Sequence, residues 1–117
     1  MIAHIVLFKP RAEVSIADRA AFVEAFDRAC RDAVSVERAL VGKTVDLGIA
    51  YLGGVDAKTY QYVAIMEFRD RTALTAYLTH PAHQALSPLF WRVCEETVIL
   101  DVEAADVKRD GLRDLLD

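Results

Sequence analysis

The stretch Tyr60-Gln61-Tyr62-Val63-Ala64-Ile65-Met66-Glu67-Phe68-Arg69-Asp70 decides the fold. From Tyr62 onward its side chains alternate. Tyr62, Ala64, Met66 and Phe68 fall on one face of a strand, and Val63, Ile65 and Glu67 on the other. Asp70 follows at once as a helix N-cap, and Leu74, Tyr77 and Leu78 mark one side of a short helix. A strand apolar on both faces needs cover on two sides, and the rest of the chain is placed around that need.

Towards the C-terminus, Pro81 breaks the short helix and suits the first turn of another, carrying Leu86, Leu89, Phe90 and Val93. Pro88 implies a kink or split in it. Glu96 to Val102 is a last strand, with Val98, Leu100 and Val102 on one face. Towards the N-terminus, Ile2 to Phe8 is another strand apolar on both faces. Ile2, His4, Val6 and Phe8 share the face taken to point at helices, Ala3, Ile5 and Leu7 share the other, and Pro10 ends it.

Ser15, with Asp18 three residues later, caps a helix running to about Val34. Its expected apolar stripe is Ile16, Ala20, Val23, Phe26, Cys30 and Val34, backed by Arg19, Glu24, Arg28 and Arg31. Leu40 to about Leu52 is expected as a strand with Val41, Val45, Leu47 and Ile49, where Gly42 and Gly48 mark bulges or close approaches. A connection from Gly53-Gly54 to about Thr59 follows. The order is β-α-β-β-α-β, a ferredoxin-like α+β unit over residues 1–103. Residues 104–117, with Leu112, Leu115 and Leu116, form a C-terminal tail or short helix. Helices on one side of such a sheet leave its other face bare. A second copy is expected to cover it, giving a homodimer.

Composition agrees with one domain and removes several classes of function. The 117 residues are 54% apolar and 27% charged, enough for a core and too ordinary for a disordered chain. The net charge of −4 comes with Arg and Lys interspersed among acids, so there is no basic stripe for nucleic acid. No apolar run approaches the ~20 residues that span a bilayer, and the opening residues show no secretory pattern. A cytoplasmic protein is expected. Cys30 and Cys94 read as two buried thiols in apolar, helix-like stretches. They and His4, His80 and His83 show no metal-site spacing.

Three segments resemble the stress-responsive A/B barrel family, also called dimeric α+β barrel or Dabb proteins. They are His4-Ile5-Val6-Leu7-Phe8-Lys9, Tyr62 to Phe68 with Arg69-Asp70, and Ala76-Tyr77-Leu78-Thr79-His80-Pro81-Ala82-His83. They stand in the family's order, and the resemblance covers roughly residues 1–103. It implies a homodimeric α+β barrel. One plant member, olivetolic acid cyclase, closes a poly-β-keto chain by an intramolecular aldol step. Its catalytic histidine resembles His83, the accompanying tyrosine resembles Tyr77, and its first-strand histidine resembles His4.

The residues themselves suit that chemistry. An aldol closure needs a base to take a proton next to a carbonyl, and a donor to steady the oxygen that gains charge. His83 serves as base, Tyr77 as orienting partner or oxyanion donor, and His4 as a second polar wall. Protein acids and bases suffice, so no cofactor and no metal is expected. The ligand is a small apolar carbonyl compound, and the activity that of a cyclase, lyase or isomerase. The alternative is a non-catalytic, stress-responsive or ligand-binding homodimer whose histidines are structural. A closed, dry crevice would favour that alternative, and an open apolar cavity reaching both histidines would favour the enzyme. His80, before a proline, is read as structural or exposed. Phe90 and Trp91 are read as core, with cover for a pocket mouth as the other possibility. Glu67 is read as an edge-facing carboxylate.

Overall fold

Alternation builds a four-stranded antiparallel sheet in the computed structural model, which describes residues 1–54, 56, 58–109 and 111–116. The strands are β1 (Ile2–Pro10), β2 (Arg38–Lys43), β3 (Tyr62–Phe68) and β4 (Cys94–Glu103), in the spatial order β2-β3-β1-β4. The helices are α1 (Ile16–Asp32), α2 (Arg71–Leu78), α3 (Pro81–Val93) and α4 (Gly111–Leu116). With its helices, the sheet is a ferredoxin-like α+β fold. Positions 55, 57, 110 and 117, which fall in the expected Gly53–Thr59 connection and the tail, lie outside the described residues. Among the described residues no helix is long and apolar enough to cross a membrane.

The core sits between one face of the sheet and the helices. Ile2, Val6 and Phe8 of β1 join Ala64, Met66 and Phe68 of β3, and Ala29, Leu74, Tyr77 and Leu86 press on them from the helices. Local signals start each helix. The Asp18 amide donates to the Ser15 hydroxyl at 3.0 Å and the Ala73 amide to Asp70 at 2.8 Å, each filling an otherwise orphan donor of the first turn. At α3 the cap is His80, whose Nδ1 accepts from the Ala82 amide at 3.0 Å. Its role is structural.

Among the described residues, no helix packs on the opposite face. Register places Leu40 opposite Ile65, Ile65 opposite Ile5 and Ile5 opposite Leu100, an apolar row across all four strands. Leu7 lies in a second row between Val63 and Val98. Both end members of the first row, Leu40 and Leu100, are exposed.

Several expectations need correction. The expected stripe of α1 is displaced: Ile16 is 89% and Val23 52% exposed, and Val34 lies outside the helix and is exposed. The inward stripe is Phe22, Ala25, Phe26, Ala29, Cys30 and, just past the helix, Ala33. The strand expected from Leu40 to Leu52 is shorter and earlier, because β3 opposes Lys43 with its first residue, Tyr62. Beyond it Val45, Leu47 and Ile49 are exposed in a loop, where Gly48 takes φ +71° in a turn closed by Asp46. Pro88 does not split α3, which runs unbroken from Pro81 to Val93. Glu67 is on a central strand and half-buried, so it is no edge carboxylate. Cys94 opens β4 and is buried, while Cys30 is half-buried on α1. The tail carries α4, none of whose residues is buried.

Candidate functional site

β1 points His4 to the helix side together with Val6 and Phe8, and leaves it 5% exposed. On α2, Tyr77 sits one turn after Leu74 and is 1% exposed. The chain then turns through Thr79 and His80, the His80 amide donating to the Tyr77 carbonyl at 3.1 Å. That turn starts α3 and brings His83 back against Tyr77. The ring centroids are 4.8 Å apart for Tyr77 and His83, 6.1 Å for His4 and Tyr77, and 5.4 Å for Phe68 and Tyr77. All three expected site residues therefore meet, with Tyr77 between the two histidines.

They line one cavity of about 230 Å³ between the sheet and the helices. Its far wall is aromatic: Phe8, Phe22 and Phe90 stand 5.7 to 6.1 Å apart, centroid to centroid. Trp91 is not core. It is 54% exposed and forms part of the cavity rim, while Phe90 beside it is half-buried. His80 does not reach the cavity.

Sequence reasoning missed Asp101. Its carboxylate lies 2.5 Å from Nδ1 of His4, and it lines the same cavity. A signal was present: placing Val98, Leu100 and Val102 on one face of β4 leaves Asp101 on the other, the face of His4. Ile99 shares that face by the same alternation and lines the cavity as well, together with Ser87 of α3.

The electrostatics of the site differ from group to group. Burial, and then the charge of His4, push His83 below the ordinary imidazole range, against a backbone hydrogen bond to Leu78 that pulls upward. His83 is thereby held neutral near pH 7. Burial raises the Tyr77 phenol well above its usual range, so it stays a hydrogen-bond donor. Burial also pushes the Cys94 thiol up to about 11 and makes it inert, as expected of a small hydrophobe. Among the described residues, no group of three or more His, Cys, Asp or Glu is placed to hold a metal ion.

Known structures share this architecture. A hydroxynitrile lyase from Passiflora edulis superposes with a TM-score of 0.74 at 13% identity, over 90% of this chain and 94% of that one. A dimeric ferredoxin-like protein of unknown function from Jannaschia gives 0.70 at 20% identity, over 88% and 98% of the two chains. A Dabb family protein from Mesorhizobium loti gives 0.66 at 21%, over 90% and 97%. At such identities the likeness concerns the fold alone. No curated protein matches the chain. The family model for the stress responsive A/B barrel domain matches residues 2–104, and the chain belongs to that Dabb family.

Proposed function

We propose that the protein is a homodimeric, cofactor-independent enzyme that acts on a small carbonyl compound by acid–base chemistry, as a cyclase, lyase or isomerase. One observation carries this reading: a single apolar cavity of about 230 Å³ reaches His4, Tyr77 and His83 together. In the step proposed, the C–H bond next to the substrate carbonyl breaks and the proton passes to the His83 imidazole. The electron pair moves to the carbonyl oxygen, which the Tyr77 hydroxyl steadies. His4, held by Asp101, is the second polar wall. The aldol closure of the olivetolic acid cyclase that the trio resembles is chemistry of this type. The Passiflora relative, a hydroxynitrile lyase, shows that this fold also carries lyases.

The dimer is part of the proposal. The apolar row from Leu40 to Leu100 is the face a second copy would cover, and the Jannaschia relative is described as dimeric. Residues 1–103 are the domain, and 104–117 an appendage to it.

A second reading has its own support. The Nδ1 of His4 is already satisfied by Asp101, as it would be in a binding protein with structural histidines. Exchange of the methyl protons of acetophenone with D2O separates the two. The enzyme accelerates it, and His83→Gln slows it at least tenfold. Exchange at the buffer rate, or exchange unaffected by His83→Gln, would defeat the acid–base reading.

A further inference from the structure

Resting on that acid–base reading, we infer that the cavity selects an uncharged, single-ring carbonyl compound and rejects carboxylates, phosphates and long poly-keto chains. Charge, shape and size each support this.

Among the described residues, Asp101 is the one carboxylate lining the cavity, and no Lys or Arg lines it. An anionic ligand would lose its hydration and gain no counter-ion. Of the lining histidines, His4 already faces a carboxylate and His83 is held neutral. The cations next in sequence to lining residues already have acidic partners: Lys9, after Phe8, pairs with Glu95 at 3.1 Å, and Arg92, after Trp91, with Asp18 at 3.5 Å.

The aromatic wall supplies the shape. Phe8 meets both Phe22 and Phe90 edge-to-face. Such a cluster presents ring faces and edges to a flat guest. Tyr77 and His83 form the polar end, so a guest seated by its ring would turn its carbonyl towards them. Size sets the limit. An apolar cavity of roughly 150 Å³ takes up benzene. The space here, about 230 Å³, matches a ring with a short carbonyl arm, and an extended chain would have to run out past Trp91 into water.

Histidine ring-proton NMR on the full-length protein at pH 8 tests this with acetophenone, benzoate and a linear ten-carbon β-diketone. Acetophenone should shift the His4 and His83 resonances saturably, with a Kd at least tenfold below those of the other two. Ile99→Lys places a cation at the exposed wall of the cavity and should bring benzoate level with acetophenone or ahead of it. Equal binding of benzoate or the diketone to the wild type, or no binding by any of the three, would overturn the inference. So would a folded Ile99→Lys variant that keeps the original preference. Where Ile99→Lys fails to fold, the wild-type comparison decides alone. A preserved preference without methyl-proton exchange would sink the acid–base reading and leave the ligand class standing. Exchange without the preference would do the reverse.

Discussion

Asp101 and His4 face each other directly in the register of β4 and β1, with the carboxylate 2.5 Å from Nδ1. The imidazole Nδ1–H donates to that carboxylate, which fixes the orientation of the ring. Nε2 is left facing away from that contact. The pair is asymmetric in burial: the His4 side chain is enclosed, while that of Asp101 is about half open to solvent.

Removing the carboxylate charge should therefore disturb the site more than the fold. Asp101→Asn is expected to slow methyl-proton exchange roughly tenfold or more, the usual scale for groups that orient a functional histidine. The melting temperature should move by only a few degrees. Nitrogen-15 shifts of the His4 ring that change in the variant while the melting temperature holds would confirm the cause.

Tyr77 and Phe68 share one packing contact and should part company on mutation. Phe68→Ala leaves a void in a fully buried position and should cost about 3–5 kcal/mol of stability. Tyr77→Phe keeps the ring and loses only the hydroxyl, for about 1 kcal/mol or less. Exchange activity should nevertheless fall in Tyr77→Phe, because the oxyanion donor is gone. Urea unfolding alongside exchange kinetics distinguishes the two effects.

Stability should depend on His83 in mildly acid solution. Its pKa in the folded protein lies below the unfolded value of 6.5, so the unfolded chain binds the extra proton first. Stability falls as pH drops below about 6.5 and levels off once the folded-state value is passed. His83→Gln should flatten that part of the profile. Urea midpoints at pH 7.5 and pH 5 would show it.

The bare sheet face predicts an association phenotype. Leu100 ends the apolar row and is exposed in the single chain, so Leu100→Glu should leave the monomer folded. A buried, unpaired carboxylate at the interface should weaken dimerisation at least tenfold. Analytical ultracentrifugation with far-UV circular dichroism reads both. A stable wild-type monomer at micromolar concentration would rule out the dimer.

Features written in local sequence were legible in advance. β3 and β1 announce themselves by alternation, and the caps Ser15 and Asp70 by side-chain type next to an apolar repeat. α1 was misread because two apolar stripes run side by side along it. The one carrying Ile16, Ala20 and Val23 faces outward. The one carrying Phe22, Phe26 and Cys30 faces in, where Ala25, Ala29 and Ala33 between them permit close packing. The loop after β2 keeps a period-two pattern through Val45, Leu47 and Ile49, although β3 extends no further to pair with it. His4, Tyr77 and His83 stood out as polar groups among apolar neighbours. Asp101 did not, since its meaning depends on a register between strands at opposite ends of the chain.

That last dependence bears on how the protein is made. His4 and Asp101 are 97 residues apart, and β1 lies inside the sheet between β3 and β4. During synthesis β1 emerges well before β4 and must wait, one edge unpaired, until β4 has left the ribosome. Contacts of such long range slow folding, because the loop must close before the pairing rewards it. The last of the four strands in chain order both seals the sheet and delivers the carboxylate. No shorter nascent chain can hold a finished site, and any truncation before Asp101 loses the dyad together with the sheet's final strand.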